Sequence, residues 1–149
     1  MPTLTEILTQ TLIRRERYER GVESVSNVYY FGRKWETDVL SLEKSGYLTD
    51  HELKISRADF LADFRKPRHA AMKARKAGKG RRACPNRFYF VTAPGIVTAK
   101  DIPPHAGWMV VQGNRVEIRK RAPLLHKGKH DKAKFYRKAY YKLTRISKV

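Results

Sequence analysis

The sequence predicts an α/β (α+β) fold, a central mixed β-sheet flanked by helices, on three observations. An apolar stripe of helical period at the N-terminus precedes three strand-like stretches. A second helical segment then leads into a short, nearly all-apolar run. Last come a hairpin pattern and a basic amphipathic helix. In chain order this reads helix, three strands, helix, strand: an αβββαβ core, with a late hairpin and a C-terminal helix added. At 149 residues the chain has the length of one compact domain with room for a real core, so one domain over residues 1–149 is expected.

Each element has a local reason. Leu4, Ile7, Leu8, Leu12 and Ile13 recur at helical spacing, Thr3 or Thr5 can cap the start and Gly21 the end, so residues 3–20 read as an amphipathic helix. The β-branched and aromatic stretch VSNVYYF, residues 25–31, reads as a strand, followed by two more at about 36–43 and 47–55. Ser56 can cap a helix starting at about Arg57, with Asp59 at its third position. Phe60, Leu61 and Phe64 mark that helix's buried face, and Pro67 stops it or opens a new turn. RFYFVTA, residues 87–93, has the unbroken apolar character of a strand buried on both faces. GWMVV and VEIRK flank a Gly113-Asn114 turn. A basic helix at about 131–146 carries Phe135, Ala139, Tyr140 and Leu143 on one stripe.

The chain carries 33 Lys+Arg against 14 Asp+Glu, a net charge of +19, which predicts a polyanionic partner. The charge is uneven. Residues 1–64 hold 9 basic and 11 acidic side chains, residues 65–82 hold 9 basic and none acidic, and residues 115–149 hold 13 basic and 2 acidic. An acid-bearing half followed by two cationic segments suits a site that needs carboxylates in surroundings that attract phosphate; a plain solvated basic surface is the competing reading. The single cysteine, Cys84, excludes an internal disulfide and a cysteine-based zinc site. No run of about 18 apolar residues and no signal-peptide pattern is present, so a cytoplasmic protein, in a bacterial or phage-infected cell and without membrane contact, is expected.

Residues 38–54, DVLSLEKSGYLTDHELK, put charges where a strand should fill the core. If Lys44-Ser45-Gly46 is a three-residue loop with Gly46 left-handed, paired residue numbers sum to 90. Asp38 then faces Glu52 and Glu36 faces Lys54, with Cβ atoms about 4.5–5.5 Å apart on one face. Two opposed carboxylates need a cation between them, and a divalent metal is the natural candidate. A two-residue Ser45-Gly46 turn would shift the sum by one and turn Glu52 away. Singly, these charges also fit a surface ion-pair ladder.

At these residues the chain resembles the PD-(D/E)XK nuclease superfamily. Glu52-Leu53-Lys54 stands as its (D/E)XK triplet and Asp38 as its aspartate, preceded by Thr37 where the motif has proline. The likeness extends to the small bacterial and phage MmcB-like DNA-repair proteins through Asp38-Val39-Leu40, residues 52–60, residues 87–91, residues 102–107 and Ala122-Pro123, over roughly residues 30–125.

The resemblance implies a restriction-endonuclease-like fold and a Mg²⁺-dependent nuclease, Mn²⁺ being an alternative, that hydrolyses DNA phosphodiester bonds in repair, recombination or phage DNA processing. Asp38, Glu52 and the Leu53 carbonyl would hold the metal, with Glu36 either an added ligand or simply paired to Lys54, and Lys54 would act on water and phosphate. The superfamily's extra first-helix glutamate falls on Glu16 or Glu19, both of which also suit helix-surface salt bridges. The basic insert at 65–86 would grip the DNA backbone through Arg65, Lys66, Arg68, Lys73, Arg75, Lys76, Lys79, Arg81 and Arg82, with Arg57 at the motif helix. Lys134, Arg137, Lys138, Lys142 and Arg145 would hold the duplex further out. His51 and His69 read as structural or surface residues rather than functional ones. A non-catalytic nucleic-acid-binding protein of the same fold is the alternative, and a homodimer is left open.

Overall fold

The computed structural model describes the backbone of residues 1–147 and side chains through residue 142, so the expected roles of Leu143 and Arg145 lie outside the described residues. Six strands form one sheet in sequence order: β1 (Glu23–Val28), β2 (Thr37–Leu42), β3 (Leu48–Lys54), β4 (Arg87–Thr92), β5 (Gly107–Gln112) and β6 (Arg115–Lys120). β1–β2, β2–β3 and β5–β6 are antiparallel; β3–β4 and β4–β5 are parallel. The expected mixed sheet flanked by helices is what forms. Among the described residues no helix is long and apolar enough to cross a membrane.

Helix α1 (Leu4–Arg14) starts in a capping box, in which Thr3 Oγ1 accepts from the Glu6 amide and Glu6 accepts from the Thr3 amide. The helix expected over 3–20 changes character at Arg15, where Arg15–Glu19 winds as a π-helix. The strand expected over 25–31 ends at Val28: Asn27 has a positive φ of 52° and no partner on β2, and the chain then turns Tyr30 and Phe31 into the core. Ser56 accepts from the Asp59 amide to cap α2 (Arg57–Asp63), and Pro67 opens α3 (Pro67–Lys76). α4 (Lys132–Ser147) buries Phe135.

The sheet separates two cores. Leu40, Leu42, Leu48, Phe88, Phe90 and Trp108 pack with Phe60 of α2, Met72 of α3 and Phe135 of α4. Val39, Leu53, Tyr89, Val91 and Met109 pack on the other face with Leu8 and Leu12 of α1. Central β3 is buried at every position, so its period of two sends Leu48, Asp50, Glu52 and Lys54 to the α2–α3 face and Thr49, His51 and Leu53 to the α1 face.

Candidate functional site: a carboxylate cluster at the β2–β3 hairpin

The turn has the geometry that puts Asp38 and Glu52 together. Glu43 N–H donates to Tyr47 O at 2.8 Å, Gly46 N–H donates to Glu43 O at 2.9 Å, and Gly46 takes φ +89°. The ladder follows as Leu42 with Leu48, Ser41 with Thr49, Leu40 with Asp50 and Val39 with His51, every pair summing to 90. Asp38 reaches back across it. Its Oδ2 accepts from the Leu53 amide at 2.8 Å, and its carboxyl lies in contact with that of Glu52.

Glu36 departs from expectation. β2 begins at Thr37, so Glu36 lies beyond the paired region, exposed, in contact with Tyr29, while its carbonyl accepts from Arg68. Lys54 is partnered instead by Asp63, whose Oδ1 accepts from Lys54 Nζ at 2.8 Å; Glu52 Oε1 is 3.9 Å from the same nitrogen.

Arg68 is likewise not a surface grip. It is 4 % exposed, its Nη2 donates to Glu52 Oε1 at 2.9 Å and to Asp63, and its guanidinium lies 5.7 Å from the Phe88 ring centre. The cause is Pro67: by starting a new helix it folds Arg68 and His69 back under β3. Asp63 collects Lys54, Lys66, Arg68 and His69, and His69 Nδ1 is 2.9 Å from His105 Nε2. Asp50 shares the face of Glu52, its Oδ2 accepting from Trp35 Nε1 at 2.8 Å. Asp50, Asp63, Trp35 and His105 were not among the sequence candidates. Alternation from Glu52 points to Asp50; nothing in the linear pattern points to Asp63.

Electrostatics divides these carboxyls. Burial, with the repulsion of Asp50 and Asp38, holds Glu52 well above the ordinary carboxylate range, and burial pushes Asp50 to about 7 despite Arg68 and Trp35. Burial also raises Asp38, against the Leu53 amide and Lys54. Asp63 goes the other way: the bond to His69 and the charges of Arg68 and Lys54 outweigh its burial and hold it ionised. Asp63 is the saturated anion of the cluster, and Asp38, Asp50 and Glu52 are the under-compensated ones.

The remaining basic residues divide by environment. Lys73, Lys76, Lys79, Arg81 and Arg82 are exposed, as is Arg65, and Arg75 is half-buried. Lys66 pairs with Asp63, and Arg57 pairs with Asp101 through two bonds of 2.9 and 3.1 Å. Lys134 and Lys142, expected to reach outward, bond instead to the Tyr30 carbonyl and to Ser26. Glu16 is no surface residue: it is fully buried on the α1 face, 3.0 Å from His51 Nε2 and 2.6 Å from Arg20. Cys84 is buried with its thiol pushed up to about 11 by burial, which suits the expected inert role.

No family model and no curated protein matches the chain. Among solved structures the fold is similar to that of the SPO1766 protein of unknown function from Silicibacter pomeroyi, with a TM-score of 0.70 at 19% identity over 98% of this chain and 90% of that one. That likeness is one of fold.

Proposed function

We propose that the protein is a metal-dependent nuclease of the PD-(D/E)XK type, with a restriction-endonuclease-like fold, acting on DNA. The observation that carries the reading is the meeting of Asp38 and Glu52 across the β2–β3 hairpin, with Lys54 two residues further along the same face.

Among the described residues no group of three or more His, Cys, Asp or Glu side chains is arranged to hold a metal. The two carboxylates nevertheless fit a hard cation that keeps most of its ligands as water. Asp38 has no cation within ion-pair distance among the described residues, and Glu52 Oε2 is buried without a hydrogen-bond donor. Asp38, Glu52 and the Leu53 carbonyl would hold Mg²⁺ or Mn²⁺, which when bound supplies Lewis-acid charge that polarises phosphate and acidifies water. Arg68 fixes Glu52 through Oε1, leaving Oε2 for the ion. Asp63 anchors Lys54 so that its ammonium can orient water and offset negative charge developing on phosphate. The exposed cations of α3 and the segment after it supply backbone affinity without base information.

The experiment is incubation with linear, nicked, flapped and branched DNA in Mg²⁺, Mn²⁺ or EDTA. Cleavage that needs the metal and drops at least about 100-fold in Lys54→Ala, with DNA binding retained, is expected. Absence of cleavage of every substrate in both metals overturns the reading. A non-catalytic DNA-binding role then stands, and one observation favours it: Lys54 and Arg68 already partner two of the buried carboxylates, Asp63 and Glu52.

A further inference from the structure

The opposite face of the sheet carries a second feature that the nuclease reading does not use. A cavity of about 480 Å³ lies beside the π-helical segment, its floor formed by His51 and Tyr89, whose rings stack 6.0 Å apart at 15°. Five cations line it, and only one is fully matched. Arg20 is held by Glu16 at 2.6 Å and by Glu43 at 2.7 Å. Glu43 also accepts from Thr49, and Glu16 Oε1 lies 3.0 Å from His51 Nε2.

Arg15, Lys44, Arg87 and Arg121 remain. Arg15 Nη1 is buried 3.6 Å from Glu16 Oε2 without a hydrogen bond, and Arg87 Nε is buried without an acceptor. Among the described residues Lys44, Arg87 and Arg121 have no carboxylate partner. Buried guanidinium N–H groups left without acceptors are costly, and three guanidiniums with so little carboxylate pairing, Arg15, Arg87 and Arg121, lining one cavity suit an anion with several acceptor oxygens. Val22, Met109 and Ile118, the last 45% exposed, give the wall an apolar part beside Ser45 and Thr49. The volume lies in the range of small-ligand sites.

We propose that this pocket binds the 5′-phosphate of a nucleotide, the phosphate on Arg15, Arg87 and Arg121 and the remainder against the apolar wall. The same group is presented by a free mononucleotide and by the 5′-phosphorylated end of a DNA strand. The site is separate from the Asp38–Glu52 cluster, and the proposal stands whether or not that cluster cuts DNA.

Calorimetric titration of the full chain with AMP, adenosine, and one short oligonucleotide bearing either 5′-phosphate or 5′-hydroxyl tests it. AMP should bind at least about tenfold more tightly than adenosine. Arg121→Glu, an exposed position that leaves the core intact, and Arg87→Ala should each weaken AMP by about tenfold or more. The charge-matched control Lys100→Glu, at an exposed cation away from the pocket, should stay within about twofold. If Arg87→Ala does not fold, Arg121→Glu decides alone. A 5′-phosphate advantage on the oligonucleotide that vanishes in Arg121→Glu identifies the strand end as a source; the same loss with AMP alone identifies the free nucleotide. No AMP binding at about 1 mM, or equal weakening by Arg121→Glu and Lys100→Glu, overturns the proposal.

Discussion

The two faces of β3 solve opposite electrostatic problems with neighbouring residues. Toward α2 and α3 it sends Asp50, Glu52 and Lys54, where carboxyls outnumber what the local cations neutralise. Toward α1 it sends His51, beside a pocket where guanidiniums outnumber carboxylates. Buried charge is expensive on either face unless it is paired, so each imbalance marks a place where an external ion of the missing sign would be stabilised. A strand with a period of two can thus carry an acidic and a basic site back to back.

The comparison is broken most severely at Asp63. Asp63→Ala removes the carboxylate that meets Lys54 at 2.8 Å, Lys66 at 3.1 Å, and Arg68 and His69, leaving cations buried without a partner. A loss of about 3–5 kcal/mol in urea unfolding is expected, and an unchanged midpoint would show that the cluster is not cohesive. On the other face Glu16→Gln should cost less, about 2–3 kcal/mol, because Arg20 keeps Glu43.

Acid unfolding sharpens the same contrast. His51 and Arg20 outweigh burial and lower the Glu16 carboxyl to about 2 from its ordinary 4.5. A group whose folded pKa is depressed contributes stability that is complete above its unfolded value and disappears as pH falls through the folded one. The wild-type protein should therefore lose stability between about pH 4.5 and 2, and Glu16→Gln should flatten that limb; an identical limb in both proteins would detach Glu16 from acid unfolding.

A milder test of the acidic face is Trp35→Phe. It keeps an aromatic ring near Phe31 but leaves Asp50 Oδ2 without its 2.8 Å donor, and about 1–2 kcal/mol of destabilisation is expected by thermal unfolding. No shift in Tm would mean that Asp50 is protonated and satisfied in another way.

How much of this was legible in the sequence follows from whether the information is local. Helix starts at Thr3 and Ser56, the apolar strand at Arg87 and the turn at Gly46 depend on neighbours a few residues away, and they form as read. The 90-sum register places Glu36 opposite Lys54 only if it is carried back before the first residue of β2, where pairing has not begun. Arg68 reads as one cation in a basic run; its burial depends on the new helix at Pro67, which aims Arg68 and His69 inward while Arg65 and Lys73 stay exposed. The basic pocket is not legible in the sequence because Arg15, Lys44, Arg87 and Arg121 come from four separate stretches and form no motif.

An effect of similar size is expected at the turn beside both charge clusters. Gly46→Ala places a Cβ at φ +89°, a backbone conformation L-residues disfavour, with the nearest foreign atom the flexible Lys129 Cδ at 3.2 Å. The strain should cost about 1–2 kcal/mol. The turn need not change length to relieve it, because a one-residue slip would exchange the faces of all of β3. His51 would leave Glu16, and Glu52 and Lys54 would leave Arg68 and Asp63, at a cost of several buried ion pairs. The variant should keep the Leu42–Leu48 to Val39–His51 ladder, visible as unchanged cross-strand contacts by NMR. A shifted ladder would mean that the turn, rather than the two buried charge clusters, sets the register.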